Sequence, residues 1–310
     1  MTTTNKHISV LQHEVIEHLI TDKSGIYIDA TFGRGGHSNA ILQSLDTDAK
    51  LFAIDRDTDA IKFGTQNFQD PRLKLIHSDF SSLIDICKTA NIFGKVTGIF
   101  LDLGVSSPQF DNADRGFSFM NDGPLDMRMH QSSYSVTAKD VINTYEEKQL
   151  ADIFWKYGEE RLSRRIAKRI VHHRSQAAIN STTQLANIVK SCIHSRQPKH
   201  PATRVFQALR IFVNQELEQL ETLLEDVYDI LCVKGRLAVI SFHSLEDRIV
   251  KNYIKSHSLP KETDKSIPLL PGDLQSTKMH WCVRKLRPKD EEINDNTRSR
   301  SAILRVVEKL

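Results

Sequence analysis

Ile26-Tyr-Ile-Asp-Ala-Thr-Phe-Gly-Arg-Gly-Gly-His37 and, shortly after it, Leu51-Phe-Ala-Ile-Asp55 decide how this chain folds. An apolar strand runs into a glycine-rich turn, a helical pattern follows from Ser38 to Leu45, and a second apolar strand ends on an acid. That succession is a nucleotide-cofactor unit, the opening of a parallel sheet with right-handed crossovers.

Two classes of cofactor use such a unit, and the carboxylate at Asp29 separates them. A dinucleotide lays its pyrophosphate on the glycine turn and the helix N-terminus, where a nearby carboxylate would repel it. S-adenosylmethionine has no phosphate there. Its methionine end presents an α-ammonium and a sulfonium, both cationic, which an acid near the turn attracts. Asp29 therefore favours the methyl donor. Gly33, Gly35 and Gly36 almost complete the dinucleotide fingerprint, but its third glycine position is Ser38. Gly35 and Gly36 would let the backbone approach a ligand closely. Asp55 ends its strand about 20 residues after the turn, where an acid can take both ribose hydroxyls of either cofactor. Asp79-Phe80, after the strand-like Leu73 to His77, suits an adenine: the acid accepts from the exocyclic amine and the ring lies against Phe80. Each residue alone reads first as a capping acid or a core aromatic; their joint spacing points to a cofactor.

The chain has 310 residues, enough for a large domain and a smaller one. Its 42 basic and 39 acidic side chains leave a net charge of +3, so nucleic-acid contact would have to come from local patches. Cys87, Cys192, Cys232 and Cys282 are scattered without a Cys-x-x-Cys pair, and the N-terminus has no apolar secretory segment. These features describe a reduced, cytoplasmic protein, and no apolar run is long enough to span a bilayer.

After an amphipathic stretch from Val10 to Ile20, strand patterns near 26–30, 51–55, 73–77 and 97–102 alternate with helix patterns. The rhythm breaks after Gly104. Residues from Asp111 to Asp140 are rich in Gly, Asp, Ser and Met, and from Ala138 to about Arg196 only helical periodicity remains. A helix-like stretch from Phe206 to Leu231 and a turn at Lys234-Gly235 precede a renewed strand, Arg236 to Phe242. Ser258 to Met279 reads as a loop and Ser301 to Val307 as a final strand. The expected architecture is α/β: a discontinuous sheet domain over 1–110 and 205–310, interrupted by a helical insertion over 111–204.

In open α/β sheets ligands lie beyond the carboxyl ends of the strands. Ile99-Phe-Leu-Asp-Leu-Gly-Val-Ser-Ser-Pro-Gln109 delivers Asp102, Ser106, Ser107 and Gln109 to that edge. Asp102 is either a catalytic or ligand-binding acid or a cap for the following turn, and an acid ending a buried strand needs a partner. Arg115, Phe117, Phe119 and Arg128 combine aromatics with arginines, a pattern that serves base stacking and phosphate contact or ordinary loop packing. Arg161, Arg164, Arg165, Lys168, Arg169 and His172 gather on one side of a helix, as a phosphate-binding face or a solvated one. Lys199 to Arg204 adds a basic turn. No metal constellation is visible.

Eight motifs occur in order: His7-Ile-Ser-Val-Leu11, Asp29-Ala-Thr-Phe-Gly-Arg-Gly-Gly-His37, Asp102-Leu-Gly-Val-Ser-Ser-Pro-Gln109, Arg115-Gly-Phe-Ser-Phe119, Asp126-Met-Arg-Met129, His200-Pro-Ala-Thr-Arg204, Ser241-Phe-His-Ser-Leu-Glu-Asp-Arg248 and Ser299-Arg-Ser-Ala-Ile-Leu-Arg305. Together they resemble the bacterial ribosomal RNA small-subunit methyltransferase H family, also called MraW, over nearly the whole chain. The resemblance implies a Rossmann-like class I methyltransferase sheet with S-adenosylmethionine as cofactor, and an inserted helical domain that helps bind RNA. It further implies methylation at N4 of a specific cytidine in the decoding region (P site) of 16S ribosomal RNA, within the small ribosomal subunit. By matching motif positions it assigns donor binding to Asp29, Gly33, Gly35, Gly36, His37, Asp55, Phe80, Asp102 and Gln109. Many DNA amino-methyltransferases carry Asp/Asn-Pro-Pro-aromatic after the fourth strand; here the sequence is Asp102-Leu-Gly-Val, so their amine-binding geometry does not transfer.

The amine of cytosine is a poor nucleophile because its lone pair is delocalised, and placement about 3 Å from the methyl carbon supplies much of the catalysis. A polar acceptor that turns the amine out of plane would help; Asp102, Ser106 and Ser107 are candidates, with His243 a further one. Methylation of a ring carbon would want a cysteine nucleophile, and none of the four lies at the strand-four edge. The base must be unpaired or flipped. Two rival functions are a ribosome-assembly factor that only binds the cofactor, and a methyltransferase acting on DNA or a small amine. A homodimer stays open.

Overall fold

The computed structural model describes residues 9–131, 135–193, 200–258 and 277–310. His7, Ile8, Lys199 and most of the loop expected from Ser258 to Met279 lie outside them. The chain divides into two compact units, one of residues up to Gly104 together with Leu217–Leu310, the other Val105–Glu216.

In the first unit the chain runs α1 (Gln12–Leu19), β1 (Ile26–Asp29), α2 (Gly36–Ser44), β2 (Lys50–Asp55), α3 (Thr58–Asn67), β3 (Leu73–His77), α4 (Leu83–Thr89) and β4 (Val96–Asp102). The second unit holds α5 (Ser107–Asp111), α6 (Ala138–Thr144), α7 (Glu147–Gly158), α8 (Ser163–Arg174), α9 (Thr182–Cys192) and α10 (Thr203–Asn214). Then α11 (Glu216–Ile230), β5 (Leu231–Ser241), α12 (Ser244–Ser258), β6 (Met279–Leu286), α13 (Asp290–Asp295) and β7 (Ile303–Lys309) complete the first unit.

One seven-stranded sheet has the order β3-β2-β1-β4-β5-β7-β6. The strands from β3 to β5 are parallel, and β7 and β6 are antiparallel additions. β4 is central and apolar from Val96 to Leu101, as a strand covered on both faces must be. One face packs on α4, α11 and α12 through Leu83, Leu223, Val227, Val250 and Ile254. The other packs on α1 and α2 through Val15, Leu19, Ile41 and Leu42.

Four expectations change. The antiparallel edge strand β6 was not foreseen: Arg284, Lys285 and His280 interrupt its apolar pattern, and only Met279 and Val283 along it are buried. The stretch Phe206 to Leu231 is two helices, separated at Gln215, whose φ of 51° ends α10. α10 packs on α7 and so belongs to the second unit, which places the return to the sheet at 217 instead of 205. β5 also starts before the expected turn; Lys234, at φ 64°, lies within it, where pairing to β4 shifts between Val96 and Gly98.

Among the described residues the regular structure of the second unit is helical, with one isolated bridge, Pro124 to Ser181. Its irregular segment is tied down by buried polar groups. Asn214 donates to the carbonyls of Met127 (2.7 Å) and Arg210 (2.8 Å) and accepts from the Met129 amide (2.8 Å). Arg115, buried, donates to the carbonyls of Arg128 and Met129. Asn214→Ala leaves these loop groups without partners and is expected to cost about 2–4 kcal/mol, read as a lower midpoint in denaturant unfolding.

Candidate functional site

The order of strands reverses direction between β1 and β4, so the crevice for a ligand opens at the carboxyl ends of these two. Asp29 ends one and Asp102 the other, both on the sheet face that carries Tyr27, Phe100 and Ile240. Asp55 ends β2 next door. Three adjacent strands thus deliver three carboxylates to one edge.

Their environments differ. Asp29 is fully buried; its Oδ1 accepts from the Thr31 amide (3.1 Å) and its Oδ2 from the Ser38 hydroxyl (2.6 Å). Burial pushes its pKa up to about 6 against the pull of those bonds. Asp55 accepts from the Gly33 amide (2.7 Å) and the Asp57 amide (2.8 Å), and burial raises it also to about 6. Asp102 keeps 27% of its side chain exposed. Its amide donates to the Thr31 hydroxyl (2.6 Å), and its Oδ1 has no hydrogen-bond partner among the described residues. Burial, then the charges of Asp29 and Glu246, push Asp102 up to about 8. His37, in the first turn of α2, packs its ring on Phe100 (4.5 Å between centroids) and brings Nε2 to 3.6 Å from Asp102.

The glycine turn owes its shape to packing as well as to ligand access. Gly33 and Gly35 have φ of 56° and 72°, which favour glycine. A Cβ on Gly35 would strike the rings of Phe32 and Phe68, and one on Gly36 the Ser9 hydroxyl. Phe80 packs against the core cluster beside β2 and α4. Asp79, expected to face an adenine amine, places Oδ1 2.9 Å from Arg56 Nε.

His243 lies at the carboxyl end of β5. Its Nε2 is 3.0 Å from Glu246 Oε1, and its Nδ1 accepts weakly from the Glu246 amide (3.5 Å). Glu246 also takes the amides of Phe242 (2.9 Å) and His243 (3.3 Å), starting α12. Ser106, Ser107 and Gln109 open the second unit. Ser106 caps α5, and Gln109 Oε1 accepts from its amide (2.9 Å) in a capping box. The structure thus gathers Asp29, Gly33, Gly35, Gly36, His37, Asp55, Phe80, Asp102 and His243 in the first unit and leaves Ser106, Ser107 and Gln109 in the second.

Thr31, Ser38 and Glu246 were missed from sequence. Ser38 was noted only as a missing glycine, and Glu246 escaped because the capping pattern it completes starts at His243 in place of Ser or Thr. In the Arg115–Arg128 loop the structure favours packing: Phe117 and Arg115 are buried, and Arg128 forms a bidentate pair with Asp126 (2.9 and 2.8 Å).

Buried, protonatable carboxyls with an unpartnered oxygen at a glycine turn suit a cationic ligand and reject a pyrophosphate. On a mixed seven-stranded sheet of this order they define a class I S-adenosylmethionine-dependent methyltransferase. Within that class the chain belongs to the MraW methylase family, whose model matches residues 4–310. It is 51% identical over 306 residues to a ribosomal RNA small subunit methyltransferase H from Francisella philomiragia, covering 98% of this chain and 99% of that one. To the protein of the same name from Francisella tularensis subsp. novicida it is 49% identical, covering 98% and 100%. A solved rRNA methylase from Streptococcus thermophilus is similar at 13% identity, with a TM-score of 0.42 over 96% of this chain and 93% of that one.

A carboxyl with a raised pKa binds its proton more tightly folded than unfolded, so ionising it costs stability as pH rises from its unfolded pKa toward the folded one. For Asp102 that window runs from about 4 to about 8. Asp102→Asn removes the cost. Its Tm is expected to exceed that of the parent by a few degrees near pH 8, with the gap closing toward pH 4, in paired thermal melts.

Proposed function

We propose that this methyltransferase modifies N4 of a specific cytidine in the decoding region of 16S ribosomal RNA, in the P site of the small ribosomal subunit. Relatives about half identical over essentially the whole chain bear the name ribosomal RNA small subunit methyltransferase H. The observation that carries the chemistry is Asp102: a partly exposed carboxyl with an unpartnered oxygen at the switch point of the sheet. No cysteine nucleophile stands there; Cys87, the buried thiol of α4, is pushed up to about 12 by burial. Exocyclic nitrogen chemistry therefore fits and ring-carbon chemistry does not.

S-adenosylmethionine supplies a methyl group on a cationic sulfonium. Asp29 and Asp102 balance the charge of its methionine end, Asp29 through the field because it is fully buried. Asp55 serves the ribose with its remaining lone pairs, Phe80 lines the adenine, and Gly33, Gly35, Gly36 and His37 shape the turn. Gln109 is assigned to the donor and Ser106 and Ser107 to the acceptor base by motif position. With the donor's positive charge favouring its ionised form, Asp102 would accept a hydrogen bond from the target amine, turn its lone pair out of the ring plane and take the proton released once the nitrogen is methylated. His243, with its ring held by Glu246, acts on the site as a fixed polar wall. The protein works in the cytoplasm, where the small subunit is assembled; no helix among the described residues is long and apolar enough to cross a membrane.

Labelled methyl should pass to purified small subunits that lack the modification, and mass spectrometry of the nucleosides should find N4-methylcytidine at one site. Methylation of carbon 5, or of DNA or small amines in preference, would sink the assignment. Asp55→Ala is expected to weaken donor binding at least tenfold by calorimetry, and Asp102→Ala to slow transfer by about 10²-fold with donor still bound.

A further inference from the structure

Of the six arginines of the second unit that lie off the outer face of α8 and within the described residues, five are engaged by the protein itself. Arg115, Arg174 and Arg204 donate to backbone carbonyls, and Arg128 and Arg210 pair with Asp126 and Glu216. Arg161 alone among the six is unengaged, and it leads directly into α8. There Arg164, Arg165, Lys168 and Arg169 are exposed, and none of these five side chains enters an ion pair or hydrogen bond among the described residues. From Arg161 to Arg174 the sequence has no acid.

Stability does not account for this arrangement. Like charges at three- and four-residue spacing repel, at about 0.2–0.5 kcal/mol per pair. Arg164 and Arg165 stand in the first turn of α8, where the helix dipole disfavours cations. The inner face is ordinary: Ile166, Ala167 and Ile170 are buried. A second oddity sits at the same corner. Trp155, one turn before the end of α7, is 61% exposed, and Leu162 just ahead of α8 is also exposed. α7 and α8 pack on each other.

We infer that the outer face of α8 with Trp155 is a docking surface for single-stranded ribosomal RNA, the basic row following phosphates and the indole stacking an unpaired base. The occupant is chosen by charge complementarity and by the ring: a row of uncompensated cations beside an exposed flat aromatic matches a polyanion that carries bases. The inference rests on the proposed rRNA substrate and adds where that RNA is held. It also resolves the two alternatives that the sequence left open for this helix.

The test uses the full chain and three variants: Arg165→Glu with Arg169→Glu, Trp155→Ala, and Lys62→Glu with Lys255→Glu as a control of equal charge change elsewhere. Binding to unmodified small subunits and to a naked rRNA fragment containing the acceptor site is measured across salt, alongside donor binding by calorimetry. The α8 double variant should bind both RNAs at least tenfold more weakly, with the salt slope reduced by about two, and bind the donor normally. Trp155→Ala should lose several-fold affinity without a change in slope, and the control should stay within twofold of the parent. Parent-like RNA binding by the α8 variant overturns the proposal, and so does a loss confined to assembled subunits, which would make the occupant a protein. Absence of methyl transfer to subunits by the parent protein, with RNA binding still dependent on α8, would instead count against the substrate assignment alone.

Discussion

Three carboxylates at the ends of three neighbouring strands set the terms for the rest of the donor site. An acid taken out of water must be supplied with donors, share a proton or meet a cation. Asp55 draws in the amides of Gly33 and Asp57, which fixes the glycine turn on β2. Asp29 recruits Thr31 and Ser38, tying β1 to the first turns of α2. Of the three, Asp102 alone keeps an oxygen without a hydrogen-bond partner among the described residues, at the switch point of the sheet.

Burial raises all three of these groups, and the like charges around them add to it, so the edge favours positive charge. After burial, the charge of Asp55 raises Asp29, and the charges of Asp29 and of Glu246 on α12 raise Asp102. A ligand that brings a sulfonium and an ammonium relieves this repulsion, whereas a pyrophosphate would worsen it. Preference for a cationic ligand is thus a consequence of where acids fall at the strand ends.

The antiparallel end of the sheet performs a different task. β7 pairs with β5, and Arg305 on β7 forms a bidentate pair with Asp247 of α12 (2.6 and 3.0 Å). That pair anchors the helix whose first turn holds Glu246 against His243. Residues on β7 therefore hold the start of α12 in place through one half-buried ion pair, although nothing in their own spacing suggests it.

Sequence by itself determined the parallel strands, the glycine turn, the acids that end β1, β2 and β4, and the presence of a helical insertion, because period and punctuation are local properties of a chain. Other features required the tertiary structure. Gly35 and Gly36 read as openings for a ligand, yet their missing side chains make room for Phe32, Phe68 and Ser9. Arg115 and Phe117 read equally as base-binding or packed, and burial decided for packing; the cations of α8 read first as a solvated face and only second as a phosphate-binding one, and the structure adds that Arg164, Arg165, Lys168 and Arg169 have no ion-pair or hydrogen-bond partner among the described residues. Neighbours from distant parts of the chain decide what a glycine makes room for, whether an arginine is satisfied and how far a carboxyl's pKa moves. No local pattern carries that information.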